Sequence, residues 1–235
     1  MASIKRHIPN TITCCNLFSG CVAVTMAFQG QFEWTLAFIV LGAVFDFFDG
    51  MAARLLNVSS PMGVEMDSLA DDVTFGFAPA AMVFVYMKSL LYPQFLGGVA
   101  EYIPYLAFLI AVFSALRLAK FNIDKRQSVS FIGLPTPANA LFWSSLVVGA
   151  GGWISDEIHS GWLLVVGLIF LSSYLMVSEI PMFSLKFKSL SWSRNKIRYF
   201  FLITIIPMLF LGFLSAVLII TWYVILSISL AMRKR

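Results

Sequence analysis

Eight apolar runs, at about 11 to 28, 34 to 54, 68 to 92, 101 to 120, 136 to 153, 161 to 178, 199 to 213 and 215 to 231, account for most of the chain. Each approaches the roughly 20 residues that an α-helix needs to cross the hydrocarbon core. Within that core only helices and closed barrels satisfy their own backbone polar groups. The pattern therefore predicts an all-α, polytopic membrane helix bundle of about eight transmembrane helices. Eight spans would consume about 160 positions, which leaves short joints in a chain of 235 residues and no room for a separate soluble domain. Residues 1–235 read as a single membrane domain, with a core over about 1–180 and two additional C-terminal spans at about 199–231. Gln29-Gly30-Gln31, the stretch Ser155 to Gly161 and the Gly212 region supply tight connections.

Composition agrees with this reading. Charged residues make up 12% of the chain, against about 25% in a soluble domain. The net charge of +4 suits an anionic lipid surface and gives no ground for a nucleic-acid partner. No short repeat or low-complexity tract is present. The N-terminal MASIKRHIPNTITCCNLFSG begins with basic residues, but its apolar run carries Thr11, Thr13 and Asn16 and no clear cleavage site, so it reads as a retained first span. Cys14, Cys15 and Cys21 are too few and too close for a disulfide framework, and they are expected to be buried thiols.

Orientation follows from the basic residues. With the N-terminus in the cytoplasm, Lys5, Arg6, Arg54, Arg117, Lys120, Lys125, Arg126, Lys186, Lys188, Arg194, Lys196, Arg198, Arg233, Lys234 and Arg235 share one side, and only Lys88 falls opposite. The positive-inside rule then places both termini in the cytoplasm, with an even number of spans. Glu179 to Arg198 mixes basic and aromatic residues, as expected of a cytoplasmic loop or a segment at headgroup level.

Half of the twelve acids lie between positions 46 and 72: Asp46, Asp49, Glu65, Asp67, Asp71 and Asp72. Asp46 and Asp49 are three apart at the end of the second span, and Asp67 and Asp71 are four apart at the start of the third, so each pair shares a helix face. The loop between them contains Asn57, Ser59, Ser60, Pro61 and Gly63 and can fold one face onto the other. Four carboxylates in membrane helices cost on the order of 10 kcal/mol on insertion scales, plus their mutual repulsion. Arg54, the one basic residue nearby, cannot neutralise four acids. Hard oxygen ligands without His or Cys suit Mg²⁺, Mn²⁺ or Ca²⁺, and two divalent ions would balance the charge. A solvated cytoplasmic rim is the other reading that the spacing alone allows. Gly50 and Ala53 lie on the Asp46/Asp49 side of the helix, where small side chains leave room for a ligand or for close helix packing. His7 and His159 fall at opposite ends of the topology and cannot share a metal site.

Asp46-x-x-Asp49-Gly50-x-x-Ala53-Arg54, eight residues, then Gly63-x-x-x-Asp67-x-x-x-Asp71 resembles the signature of the CDP-alcohol phosphotransferases, with every motif position filled. GVEMDSLADDVTFGFAPA (Gly63 to Ala80), SALRLAKFN (Ser114 to Asn122), IGLPTPANA (Ile132 to Ala140) and IPNTITCCN (Ile8 to Asn16) resemble the serine-accepting integral-membrane branch of that family. The resemblance is specific over about the first 140 residues and rests on hydropathy alone beyond them. It implies transfer of a phosphatidyl group from CDP-diacylglycerol to L-serine, with release of CMP. Asp46, Asp49, Asp67 and Asp71 would bind two divalent ions, and Asp71 would also act as general base. Asn10, Thr13, Gly50, Ala53, Arg54 and Gly63 would bind CDP-diacylglycerol. The resemblance further implies a homodimer in the cytoplasmic membrane, with its active site facing the cytoplasm and opening sideways to the inner leaflet.

Serine presents a carboxylate and an ammonium. Arg117 and Lys120, near the cytoplasmic end of the fourth span, are the candidates for its carboxylate, or else orientation anchors. Lys120 stands where a second Arg is expected and lacks its planar fork. Phe131 to Pro137 reads as the start of the fifth span. A different acceptor, glycerol 3-phosphate or inositol phosphate, would need a denser basic pocket. A divalent-cation transporter would hold its acids near the bilayer midplane.

Overall fold

A computed structural model describes residues 2–58, 60–124, 131–157, 160–183 and 192–233. Helix α1 (Ala2–Phe28) turns at Gly30, whose φ of 72° favours glycine, and α2 (Phe32–Leu56) packs back along it. Asn57 ends α2 in the left-handed conformation, its N–H directed at the Ala53 and Arg54 carbonyls. Three residues on, the Ser60 hydroxyl accepts from the Gly63 N–H at 3.0 Å and Pro61 takes the first helical position, so α3 (Pro61–Asp71) starts close to where α2 stops. This tight reversal sets the two acidic faces against each other.

Beyond Asp71 the helix widens into a π-helical turn, Asp72–Phe77, and continues as α4 (Ala78–Lys88). A 3₁₀ stretch, Gln94–Phe108, broken at Gly97, leads into α5 (Leu109–Ile123). Then come α6 (Thr136–Glu157), α7 (Gly161–Val177), α8 (Trp192–Ile205), a 3₁₀ turn Pro207–Leu211, and α9 (Leu214–Arg233). One short antiparallel pairing, β1 (Phe131–Ile132) with β2 (Pro181–Met182), clamps the approach to α6 onto the end of α7. Gly133, at φ 74°, donates its N–H to Ile180 O, and Leu134 N–H reaches Leu175 O, both at 2.9 Å.

The main core lies between α4, α5, α6 and α7, with Met82, Met87, Ile110, Trp143 and Ile169 fully buried. Trp143 Nε1 donates to Ser172 Oγ at 3.0 Å and the Tyr86 hydroxyl to Gly151 O at 2.8 Å, so both amphipathic rings meet a partner inside. Phe18, Phe47 and Phe210 point outward, as lipid-facing side chains do.

Five helical segments among the described residues are long and apolar enough to cross a membrane: His7–Phe28, Phe32–Leu56, Pro61–Lys88, Gln94–Ile123 and Leu214–Arg233. The other three expected spans differ for physical reasons. In α6, the polar Thr136, Asn139, Ser144 and Ser145 dilute the apolar run. Helix α7 is short at 17 residues. The run 199 to 213 breaks at Pro207, which has no N–H to continue α8. The cysteines also depart from expectation. Thr13, Asn16, Ala23 and Ala27 form the buried stripe of α1, so Cys14 and Cys21, off that stripe, face outward and Cys15 is half-buried. His7 is exposed, while His159, Ser59, Lys125, Arg126, Lys186 and Lys188 lie outside the described residues.

Candidate active site

The reversal between α2 and α3 brings Asp46, Asp49 and Asp67 together: one carboxylate oxygen from each lies within 4.8 Å of the others. Spacing on α2 supplies two of them and the Ser60 cap aims the third. Asp49 is buried, and Thr13 of α1 donates its hydroxyl to Asp49 Oδ2 at 2.7 Å. The Pro9 carbonyl also lies 3.1 Å from that hydroxyl; with one proton to give, the shorter, charge-assisted bond prevails. Asp67 Oδ1 is buried without a hydrogen-bond partner among the described residues. Three carboxylates this close, with an orphaned oxygen among them, fit a divalent cation by charge and by ligand chemistry.

Asp71, one turn deeper, is held separately. Asn16 of α1, fully buried, donates its Nδ2 to Asp71 Oδ1 at 3.1 Å. Thr74 in the π-helical turn donates to the Asn16 carbonyl at 3.1 Å. At Gly42 of α2 a side chain would collide with Thr74 and with Asn16 Oδ1, so this glycine permits the close approach of α1, α2 and the wide turn.

Beside the carboxylates a pocket of about 150 Å³ is lined by Asn10, Thr13, Asp49, Gly50, Ala53, Gly63 and Asp67. All the residues expected on the CDP-diacylglycerol side except Arg54 meet there, and Asn10 and Gly63 do so from elements far apart in sequence. A Cβ on Gly63 would sit 3.1 Å from both Asn10 Oδ1 and Ser60 Oγ. Arg54 is exposed, and its Nη1 would lie 3.5 Å from a Cβ on Gly50, so the guanidinium folds over that glycine at the rim. Pro9, Val58, Ser60 and Val64 complete the lining. Sequence reasoning did not assign these four or Asn16 to the site. For Asn16 a signal was available, an amide inside an apolar membrane helix.

Arg117 and Lys120 prove unlike each other. Arg117 is 6% exposed, donates from Nη1 to Thr136 Oγ1 at 3.3 Å, and sits 5.5 Å from the Phe121 ring centroid. Its Nε is buried without a partner among the described residues. Lys120 instead donates to Val177 O at 3.2 Å and pairs with Glu179 at 2.5 Å, tying α5 to the end of α7.

Residues 6–173 match the CDP-alcohol phosphatidyltransferase family. Among curated proteins, the CDP-diacylglycerol–serine O-phosphatidyltransferase of Bacillus subtilis (strain 168) is 38% identical over 175 residues, covering 74% of this chain and 89% of that protein. The enzyme of the same name from Helicobacter pylori (strain J99) is 34% identical over 191 residues, covering 79% and 74%. That from Saccharomyces cerevisiae is 36% identical over 176 residues, covering 66% and 59%. The matched region contains α2, α3 and all four aspartates, and the motif that the sequence spells is the one the fold closes around a pocket. The chain therefore belongs to the CDP-alcohol phosphatidyltransferase family.

Proposed function

We propose that this protein transfers the phosphatidyl group of CDP-diacylglycerol to the hydroxyl of L-serine, forming phosphatidylserine and CMP. The observation that carries the proposal is the convergence of three clustered aspartates on a small-residue pocket, with Asp71 one helical turn beyond Asp67. The relatives bear the name of that reaction.

Asp46, Asp49 and Asp67 are the residues that would hold Mg²⁺ or Mn²⁺, with Ca²⁺ as a possible substitute and Asp71 as a ligand to a second ion. When bound, such ions screen the pyrophosphate and stabilise charge on the transferred phosphoryl oxygens. The pocket's 150 Å³ is small beside the roughly 300 to 1,000 Å³ of sites that enclose a whole ligand. It would take part of the nucleotide head while the acyl chains stay in lipid. Gly50, Ala53 and Gly63 give the backbone close access to the nucleotide, and Arg54 covers the rim near its phosphates. Asp71, with Oδ1 held by Asn16, keeps Oδ2 to accept the proton of the serine hydroxyl as that oxygen attacks phosphorus. The bond from phosphorus to the bridging oxygen breaks, and CMP leaves with that oxygen. Arg117 would take the serine carboxylate. Its single buried guanidinium fits one carboxylate better than a phosphorylated acceptor, because Lys120 is already committed to Glu179.

Purified protein given CDP-diacylglycerol, Mn²⁺ and a panel of serine, glycerol 3-phosphate, inositol phosphate and glycerol is expected to make phosphatidylserine with stoichiometric CMP. A lipid product from another alcohol, with none from serine, would overturn the acceptor. Metal transport without CMP release would overturn the enzyme reading.

We further propose that the site and both termini face the cytoplasm, which the one-sided distribution of the basic residues supports, and that the chain is a homodimer in the cytoplasmic membrane, as the family resemblance implies. Engineered cysteines at Asn57 and Arg233, in a Cys-free background, are expected to react with a membrane-impermeant thiol reagent from the cytoplasm, and one at Gly30 from outside. Labelling of 57 and 30 from the same side refutes this topology.

A further inference from the structure

Asn139 lies in the first turn of α6, fully buried, and neither its Oδ1 nor its Nδ2 meets a hydrogen-bond partner among the described residues. An amide left unmet on both sides inside a protein is costly. Three residues earlier, and so on the same face of α6, Thr136 is also fully buried, and its Oγ1 accepts from Arg117 Nη1 of α5 at 3.3 Å. That bond joins α5 to α6 beside the amide, since Cβ atoms at this helical spacing are about 5 to 6 Å apart. The Arg117 side chain is more than nine-tenths buried, with its Nε unmet among the described residues. Ala140, the next residue of α6, packs with Phe75 and Ala78, which holds this turn of α6 against the widened turn that follows Asp71.

Two buried side chains with unmet polar atoms thus flank one helix joint, and their chemistry is complementary. The guanidinium can only donate, whereas a primary amide both accepts and donates. An acceptor alcohol bearing a carboxylate or phosphate alone would satisfy Arg117 and leave the amide oxygen unmet. The adjacent ammonium and carboxylate of an α-amino acid match the adjacent oxygen and nitrogen of the amide.

We propose that Asn139 is a specificity-determining residue of the acceptor site, its Oδ1 accepting from the ammonium of an amino acid and its Nδ2 donating to the carboxylate that Arg117 holds. The proposal rests on serine being the acceptor and on Arg117 taking its carboxylate. It explains how the site tells an amino acid from an alcohol that carries only negative charge.

Asn139→Leu, of similar size, removes both polar atoms, and Asn139→Ala is a smaller second variant. Each is expected to raise the KM for serine roughly 10- to 100-fold, the effect of a lost hydrogen bond to a charged group, with the KM for CDP-diacylglycerol little changed. Fragments of serine, used as competitive inhibitors, separate the contacts: ethanolamine carries the ammonium without the carboxylate, and 3-hydroxypropionate the reverse. Asn139→Leu should weaken ethanolamine more than 3-hydroxypropionate, and Arg117→Lys should do the opposite. Because the amide has no partner to lose among the described residues, serine-free Asn139→Leu should melt no lower than wild type. An unchanged serine KM in both variants, the result if the amide only holds an enclosed water, overturns the proposal. Equal weakening of the two fragments does so too, as does equal loss of affinity for serine and CDP-diacylglycerol with a lowered melting temperature, which marks a structural residue. If wild type makes no lipid from serine, or Arg117→Lys leaves the serine KM unchanged, the acceptor reading itself falls, and the role of Asn139 falls with it.

Discussion

CMP release by Asp67→Ala protein is expected to fall by about 10³-fold or more, since the lost group anchors the charge that stabilises the transferring phosphoryl oxygens. The stability readout should move the opposite way. Without metal, Asp67 sits within 4.8 Å of Asp46 and Asp49 and repels both, so metal-free Asp67→Ala protein should melt no lower than metal-free wild type. Added Mn²⁺ should raise the melting temperature of wild type by mass action, worth about 2.7 kcal/mol at a hundred times Kd, and should do little for the variant. Thr13→Val, which removes only the hydroxyl that orients Asp49, should fall between them, with metal affinity weakened roughly 10- to 100-fold. Thermal melts with and without Mn²⁺, beside CMP assays, decide the matter. Near-normal turnover, or an undiminished metal-induced shift in Asp67→Ala, removes this residue from the metal set.

Asp71→Asn should behave differently, because Asp71 is held by Asn16 rather than gathered with the other three. The amide keeps an oxygen to accept the Asn16 bond and preserves shape, but it cannot take a proton. Turnover should drop roughly 10²- to 10⁴-fold, the usual contribution of a general base, while the Mn²⁺-induced melting shift and CDP-diacylglycerol binding persist. If the shift disappears as completely as in Asp67→Ala, Asp71 is principally a ligand and the proton goes elsewhere.

The acid cluster was legible because helical spacing fixes which carboxylates share a face, and a loop of Asn, Ser, Pro and Gly leaves few ways to join two helices. The pocket was legible for the same reason: Gly50 and Ala53 follow the carboxylates at helical intervals. What escaped depended on contacts distant in sequence. Nothing local to Lys120 announces Glu179, 59 residues on, as its partner. Nothing near Tyr223 ties it to the carbonyl of Phe183. The π-helical turn was equally hidden, since Asp72–Phe77 has no residue that forbids an ordinary α-helix. Hydropathy marked apolar runs well and their continuity poorly, as the break at Pro207 shows.

That wide turn has a mechanical consequence. A π-helical turn accommodates one more residue than the α-helix on either side of it, so α3 and α4 are set at different rotational phases by a single position. Deleting one residue between Asp72 and Phe77 would remove the widened turn and keep the two faces nearly in register, whereas drawing all six residues into an ordinary α-helix would turn the Asp67/Asp71 face by about 100° relative to the buried face of α4. The carboxylates would swing away from α2 while the core stayed packed. The catalytic half of this helix is thus indexed to its structural half like a key cut one notch off its shaft, and the offset, more than the identity of any side chain within it, aims the acids.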